Sequence, residues 1–357
     1  MTKTVNFNSD NVTGASPEII AALAAANADA VASYGADPCT ERVEAAFRRL
    51  FERDVAVFPV ATGTAANALA LAACTPPWGV VFCHRSAHIA CDECGAPEFY
   101  TGGAKLALLD GEHAKLAPGA LDAALASAGG GVVHHAQPAA VSVSQATEAG
   151  AVYAPDELAA LARVAHAHGA ALHVDGARFA NALVALGCSA AEATWRAGVD
   201  VLSFGATKNG ALAAEAIVVF DPALAETIGY RRKRAGHLFS KLRFLSAQLE
   251  AYLADDLWLR NARHANAMAA RAAEGLARLA NRGVTLVHPV EANELFVRLP
   301  EPVRAGLAAD GFLFHGWGAP PAGPDGGVVR LVTSWCTDPA DVAALVARAA
   351  HHAGAHP

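Results

Sequence analysis

Short apolar runs alternate along this chain with longer stretches whose apolar positions recur at helical spacing. Val55–Val60 reads as a strand, followed by the polar turn 61-ATGTAAN-67 and the apolar helical run 68-ALALAAC-74. Val80–Cys83 reads as a second strand. Further on, 155-PDELAALARVAHAHG-169 opens on proline and acids and closes on glycine, the start and stop marks of a helix. A buried strand, 170-AALHV-174, follows at once, and 200-DVLSFG-205 and 215-EAIVVF-220 are two more. Helix then buried strand, repeated, predicts a mainly parallel sheet with helices on both faces. Too little chain separates 205 from 215 for a helical crossover, so 215–220 is expected to run antiparallel or to return along an edge.

From about Ser240 to Leu279 the pattern is continuously helical and free of proline, the length of a helix that joins two domains. Beyond it, 284-VTLVH-288, 294-ELFVRL-299, 303-VRAGLAADG-311, 328-VVRLVTS-334 and 338-DPADVAALVARAA-350 give strand, strand, helix, strand, helix. That order suits a small α+β domain, with 319-APPAGPDGG-327 a loop by composition. The fold class expected is α/β, with a large domain over residues 1–245, including an N-terminal arm, and a small C-terminal domain over 246–357.

Composition narrows the function. With 357 residues, 54% of them hydrophobic and 17% charged, the chain can fill a large core. A net charge of −7, with 231-RRKR-234 as the longest basic run, points to neither nucleic acid nor a membrane surface as partner. The opening MTKTVNFNSDNVT lacks an apolar export stretch, and no run approaches the length of a membrane span. Seven scattered cysteines, an odd number, argue for a reducing compartment, so a cytoplasmic protein is expected.

Several residues carry candidate chemistry. Lys208, in 203-SFGATKNG-210, lies just past an apolar strand, where open α/β sheets place ligands. A desolvated lysine there can form an imine with a carbonyl, although an ordinary surface lysine looks the same taken alone. Asp175, in 172-LHVDGAR-178, ends a buried strand and needs a cation. Arg178 would serve, and so would the protonated nitrogen of a pyridine ring. The turn 62-TGTAANA-68, between strand and helix, offers backbone N–H groups and two hydroxyls to a phosphate, or is a plain helix cap. Phosphate cradle, ring carboxylate and imine lysine together ask for pyridoxal 5'-phosphate. His88 can stack on that ring or act as a base, with Asp92 one helical turn on to orient it. Cys91 and Cys94 form a CxxC near histidines, but no second pair at matching spacing exists, so no metal site is expected. Arg330, in an otherwise apolar strand, suits a bidentate carboxylate, or a structural ion pair.

In order, these segments resemble the L-threonine aldolase family, within the aspartate-aminotransferase-like (fold type I) class of pyridoxal-phosphate enzymes. The resemblance runs through 6-NFNSDNVTG-14, 34-YGADP-38, 62-TGTAAN-67, 84-HRSAHI-89, 173-HVDGARFANA-182, the TKN lysine and 330-RLVTSW-335, over nearly the whole chain. It implies aldol cleavage of β-hydroxy-α-amino acids to glycine and an aldehyde. Gly63 and Thr64 would bind phosphate, His88 would stack on the pyridine, and Asp175 would pair with its nitrogen. Arg178 would meet the ring hydroxyl or the substrate carboxylate, Lys208 would hold the imine, and Ser9 with Arg330 would grip the substrate carboxylate. The family's homodimers or dimers of dimers, with sites at the subunit interface, would bring Tyr34 and Arg234 to a neighbour's phosphate. One stretch departs from the family: 144-SQATEAG-150 lacks the histidine that many members place near the β-hydroxyl. His134 or His135 is expected to supply an imidazole instead, with Glu148 as the other candidate. A β-eliminating lyase, or a cofactor-binding protein without catalysis, would keep the same cofactor residues.

Overall fold

Strands apolar at nearly every position can be buried only inside a sheet covered on both faces, and the chain builds such a sheet. The computed structural model describes residues 4–318 and 326–354, so residues 319–325 of the expected loop lie outside the described residues. After β1 (Val5–Asn6), helices α1 (Pro17–Ala26) and α2 (Pro38–Phe51) lead into β2 (Ala56–Val60) and α3 (Gly63–Cys74). Next come β3 (Gly79–His84), short helices α4 (His88–Cys91) and α5 (Ala96–Thr101), β4 (Lys105–Leu109) and α6 (Pro118–Ser127). Strand β5 (Gln137–Ser144), α7 (Pro155–Ala167), β6 (Ala171–Gly176) and α8 (Phe179–Leu186) follow, then β7 (Val201–Gly205) and β8 (Glu215–Val219). Helices α9 (Pro222–Arg234), α10 (Arg243–Leu253) and α11 (Leu257–Ala277) precede β9 (Thr285–Leu286), β10 (Glu294–Leu299) and α12 (Glu301–Ala309). Strands β11 (Phe312–Leu313), β12 (His315–Trp317) and β13 (Gly327–Val332) and helix α13 (Pro339–Gly354) complete the described chain.

The large sheet has seven strands in the order β2-β8-β7-β6-β5-β3-β4. Only β8 runs against its neighbours, pairing antiparallel with both β2 and β7. It is antiparallel as expected but interior, because β2 adds beyond it. Strands β4 and β5 had no counterpart in the hydrophobic pattern. Helix α3 is buried from Ala65 to Ala72, so its alanines let it lie close over the sheet.

Residues 240–279 do not form one helix. Asp255 and Asp256 take φ of 50° and 55°, which breaks the run between α10 and α11. A short polar side chain tolerates that left-handed backbone better than most, and the apolar periodicity carries no trace of it.

Two apolar clusters are the largest among the described residues. The first surrounds the large sheet and takes in Leu245, Leu249, Tyr252, Trp258 and Ala262 from α10 and the start of α11. The second gathers Met268, Leu276, Leu295, Leu331 and Leu345 around the small antiparallel sheet β12-β13-β10-β9. Phe7 belongs to this second core, and β1 pairs in parallel with β11. Helix α11 contributes to both clusters, and the N-terminal strand packs with the smaller one. No helix among the described residues is long and apolar enough to cross a membrane.

Candidate active site

The parallel strands β2, β3, β5, β6 and β7 all end at one edge of the large sheet, where such sheets take ligands. Asp175, next to last in β6, pairs in register with Ser144 of β5 and Ser203 of β7. The backbones approach closely just beyond it: a Cβ on Gly205 would lie 2.5 Å from Ala177 O. Glycine at 205 therefore lets β7 deliver its following turn, Thr207–Asn209, beside the end of β6. That turn is fixed from below by Asn209, whose Nδ2 donates to Tyr252 Oη (2.7 Å) and Trp258 O (2.8 Å). Lys208 on it is partly buried and makes no hydrogen bond or ion pair among the described residues. Its charge acts on Asp10, His88, Glu215 and Glu294, which places the amine among them.

Asp175 is 7% exposed and accepts from Asn67 Nδ2 (2.8 Å) and Ala177 N (3.0 Å). No cation lies within ion-pair distance of it among the described residues, and Arg178, the structural partner weighed from sequence, faces elsewhere. A buried carboxylate in that state fits the protonated nitrogen of a pyridine. Nearby, Thr62 caps α3 by accepting from Ala65 N (3.1 Å). The N–H groups of Gly63 and Thr64 stand at the open helix end, and a Cβ on Gly63 would meet nothing within 4 Å. These residues fit pyridoxal phosphate at both ends.

His88 begins α4, and its Nδ1 lies 2.8 Å from Glu93 Oε1. The sequence expectation named Asp92, and this is a correction: α4 stops at Cys91, and Asp92 is left exposed. The chain then turns, so the fifth residue on points inward and the fourth does not. Glu93 is 4% exposed and also accepts from Asn67 Nδ2 (2.8 Å), which links the imidazole to Asp175 through one amide. Burial raises the Glu93 carboxyl, and its hydrogen bond to His88 raises the imidazole above the ordinary histidine range against partial burial. Glu93→Gln should therefore bring the His88 titration to lower pH, read from the imidazole ring protons by NMR. An unmoved titration would show that Glu93 does not hold the imidazolium.

The N-terminal arm supplies the far wall. Arg178 clasps Asp10 through Nε (2.9 Å) and Nη2 (3.1 Å) and reaches Glu294 Oε2 with Nη1 (3.2 Å). Burial would weaken the arginine's hold on its proton, but the two carboxylates more than reverse this. Burial likewise pushes Asp10 upward, but Arg178 and Lys208 bring it below the ordinary carboxylate range. Glu294 stays raised by burial, only partly offset by Arg178, Arg330 and Lys208. Arg330 is the freer guanidinium: Nη2 donates to Asn8 O (3.2 Å), Trp317 lies 5.3 Å away, and buried Nε has no partner. Ser9, next to Asn8, accepts from Asn11 N (3.1 Å) at the head of a turn packed against the Lys208 turn.

His134 and His135 are not at this edge, a second correction. Both are exposed in the loop that enters the N-terminal end of β5. A strand of eight residues separates that end from the site by roughly 26 Å at about 3.3 Å per residue. Tyr34 is half exposed, with Lys233 Nζ 4.5 Å from its ring centre, and Arg234 is exposed at the end of α9. Sequence reasoning did not single out Asp10, Glu93, Glu215 or Glu294, because an acid has no sequence signal for being buried.

The pattern of the beta-eliminating lyase family matches residues 6–302. A low specificity L-threonine aldolase of Pseudomonas aeruginosa is 47% identical over 336 residues, 94% of either chain. A second, from another Pseudomonas strain, is 44% identical over 342 residues and 96% of either chain. The structure of the Leishmania major threonine aldolase superposes with a TM-score of 0.90 at 29% identity, covering 98% of this chain and 100% of that one.

Proposed function

The chain belongs to the beta-eliminating lyase family, and on that premise we propose that it is a low-specificity L-threonine aldolase. It cleaves L-threonine, allo-threonine and related β-hydroxy-α-amino acids such as phenylserine to glycine and an aldehyde, reversibly. The fold is fold type I, a large mixed, mainly parallel domain with a small α+β domain. One observation carries the reading: Asp175, a buried carboxylate, and Lys208, an amine, each without an ion-pair partner among the described residues, share a sheet edge with an open helix end.

Pyridoxal phosphate, when bound, supplies a carbonyl for amine capture and a ring that takes up the electron pair of the Cα–Cβ bond. Lys208 is the amine that would hold the cofactor. Asp175 keeps the ring nitrogen protonated, and Asn67 fixes Asp175 in place. The N–H groups of Gly63 and Thr64 take the phosphate at the helix end. His88, steadied by Glu93, stacks on the ring. Arg330, whose Nε has no partner among the described residues, would gather the substrate carboxylate with Ser9, while Arg178, held by Asp10 and Glu294, would meet the ring hydroxyl or that carboxylate. Gripping the carboxylate sets the orientation about Cα, so the bond to be broken is chosen by binding.

Tyr34, with Lys233 over its ring, and Arg234 at the end of α9 belong to the same proposal as contacts to a neighbouring subunit's phosphate in a homodimer or homotetramer. A cytoplasmic setting accords with seven free cysteines.

The test is an absorbance spectrum of the purified protein, then mixing with L-threonine and with L-phenylserine while glycine is assayed. A visible cofactor band with glycine and aldehyde is expected. Ammonia and a 2-oxo acid in place of glycine would move the reaction to β-elimination. No band after added pyridoxal phosphate would sink the assignment of Lys208.

A further inference from the structure

Aldol cleavage must dispose of the proton on the β-hydroxyl, and most groups at this edge are already committed. Glu93 spends Oε1 on His88 and Asn67, and its Oε2 is sealed from solvent without a partner. Asp175 is held by Asn67 and Ala177 N, and His134 and His135 lie at the opposite end of β5.

Glu148 differs. It stands in the turn after β5, partly buried, with Oε1 accepting from Ser144 Oγ (2.5 Å) and from His88 N (2.9 Å). Its Oε2 has no hydrogen-bond partner among the described residues. The carboxyl is thus anchored on one oxygen beside His88, with the other oxygen left for a ligand or a water. Around it lie His88 and Cys91 on α4, Cys83 on β3, Asp175 on β6 and Tyr153 beyond the turn. No lysine or arginine is among these groups. Burial pushes the Glu148 carboxyl up to about 7, Asp175 adds to this, and the Ser144 hydroxyl and nearby N–H groups partly offset it. A base that titrates near the working pH transfers protons most efficiently.

We propose that Glu148 is the proton acceptor for the substrate's β-hydroxyl, directly or through one water. The proposal rests on the aldolase reading. The hydroxyl O–H bond breaks toward Glu148, and its electron pair forms the new C=O bond of the aldehyde. Bound pyridoxal phosphate would supply the sink for the Cα–Cβ electron pair, and the proton that Cα gains would come from a donor other than Glu148. Glu148 then gives its proton to water.

The test uses Glu148→Gln, which keeps an acceptor for Ser144 and for His88 N. Glycine formation from L-threonine should fall on the order of 10²–10⁴-fold in kcat/KM, and the limb of the pH profile that rises through about 7 should vanish. Exchange of the glycine α-proton in heavy water, read by NMR, involves no hydroxyl and should stay within about threefold of wild type. A third readout needs no cofactor. In the apoprotein the folded state holds this proton where the unfolded chain has lost it, so the contribution of Glu148 to thermal stability should decline as pH rises from about 5 to 7.5. The Gln variant should lose less over that interval.

Wild-type cleavage in Glu148→Gln, equal loss of cleavage and exchange, or stability curves parallel with wild type would each overturn the assignment. If the wild-type protein makes no glycine from any β-hydroxy amino acid, the aldolase reading itself fails and the proposal goes with it.

Discussion

Lys208→Ala should lose aldol cleavage by a factor on the order of 10³ or more, as expected when a covalent amine is removed from an enzyme. The variant should also lose the visible band of the covalently held cofactor while keeping the fold. The reason for expecting a clean effect is local. Lys208 has no hydrogen bond to break, and its turn is fastened by Asn209 to Tyr252 and Trp258 and by Asn261 to Asn209 O (2.9 Å), not by the amine. What the amine does supply to the apoprotein is charge facing Asp10, Glu215 and Glu294. Lys208→Arg restores that charge without a competent amine, so it should recover any lost stability but no turnover. Activity in either variant above about a tenth of wild type would remove Lys208 from the chemistry.

Arg178→Met should cost about 3–5 kcal/mol of stability, the usual result of leaving buried charge without its partner. Asp10 and Glu294 are each 1% exposed, and Arg178 is the cation in hydrogen-bond contact with Asp10. Arg330 remains, but its nearest approach to Glu294 is 3.9 Å. The sign with pH follows from Asp10. Its carboxyl is held below the ordinary range in the folded protein, so the stability it contributes is present above its unfolded value and fades as pH falls through the folded one. The deficit of Arg178→Met should therefore be full near neutrality and shrink once pH falls below the ordinary aspartate value, as urea midpoints at pH 7 and at about pH 3 would report. Adding Asp10→Asn should recover part of the loss. A deficit below about 1 kcal/mol at pH 7 would mean that water already screens this group.

Much of this architecture is legible in the chain. The runs 170–174 and 200–205 are apolar enough to be interior strands; Asp175 follows the first at once and Lys208 comes three residues after the second. Position at a strand end is a local property, and the sequence carries it. Strand β5 was hidden because Pro138 near its start argues against an interior strand. The sheet accommodates the proline by shifting register there: Val80 pairs with Pro138 and Val81 with Ala140. The choice between Asp92 and Glu93 depended on where α4 stops. A rule of four residues holds only while a helix continues, and Gly95 with a φ of 74° just beyond was the one hint that this helix does not. Glu148 was legible as one candidate near the β-hydroxyl, but its contact with His88, which joins the loops after two different strands, was not. Asp10, Arg178 and Glu294 meet from separate parts of the chain, and nothing in their spacing foretells it.

The pairing of β1 with β11 orders events during synthesis. Val5 and Asn6 leave the ribosome long before their partners Phe312 and Leu313. Phe7 in turn needs the backbone of Val332, whose N–H donates to Phe7 O at 2.8 Å. The large sheet can be complete once Val219 is out, since β8 is its last strand. The arm between, with Ser9 and Asp10, must then wait as a loose tether while about a hundred further residues are added, at roughly 5–20 per second. Maturation of the carboxylate pocket is thus delayed for several seconds behind the sheet edge it serves. A nascent chain released before β13 would carry the cofactor half of the site without the half that grips substrate.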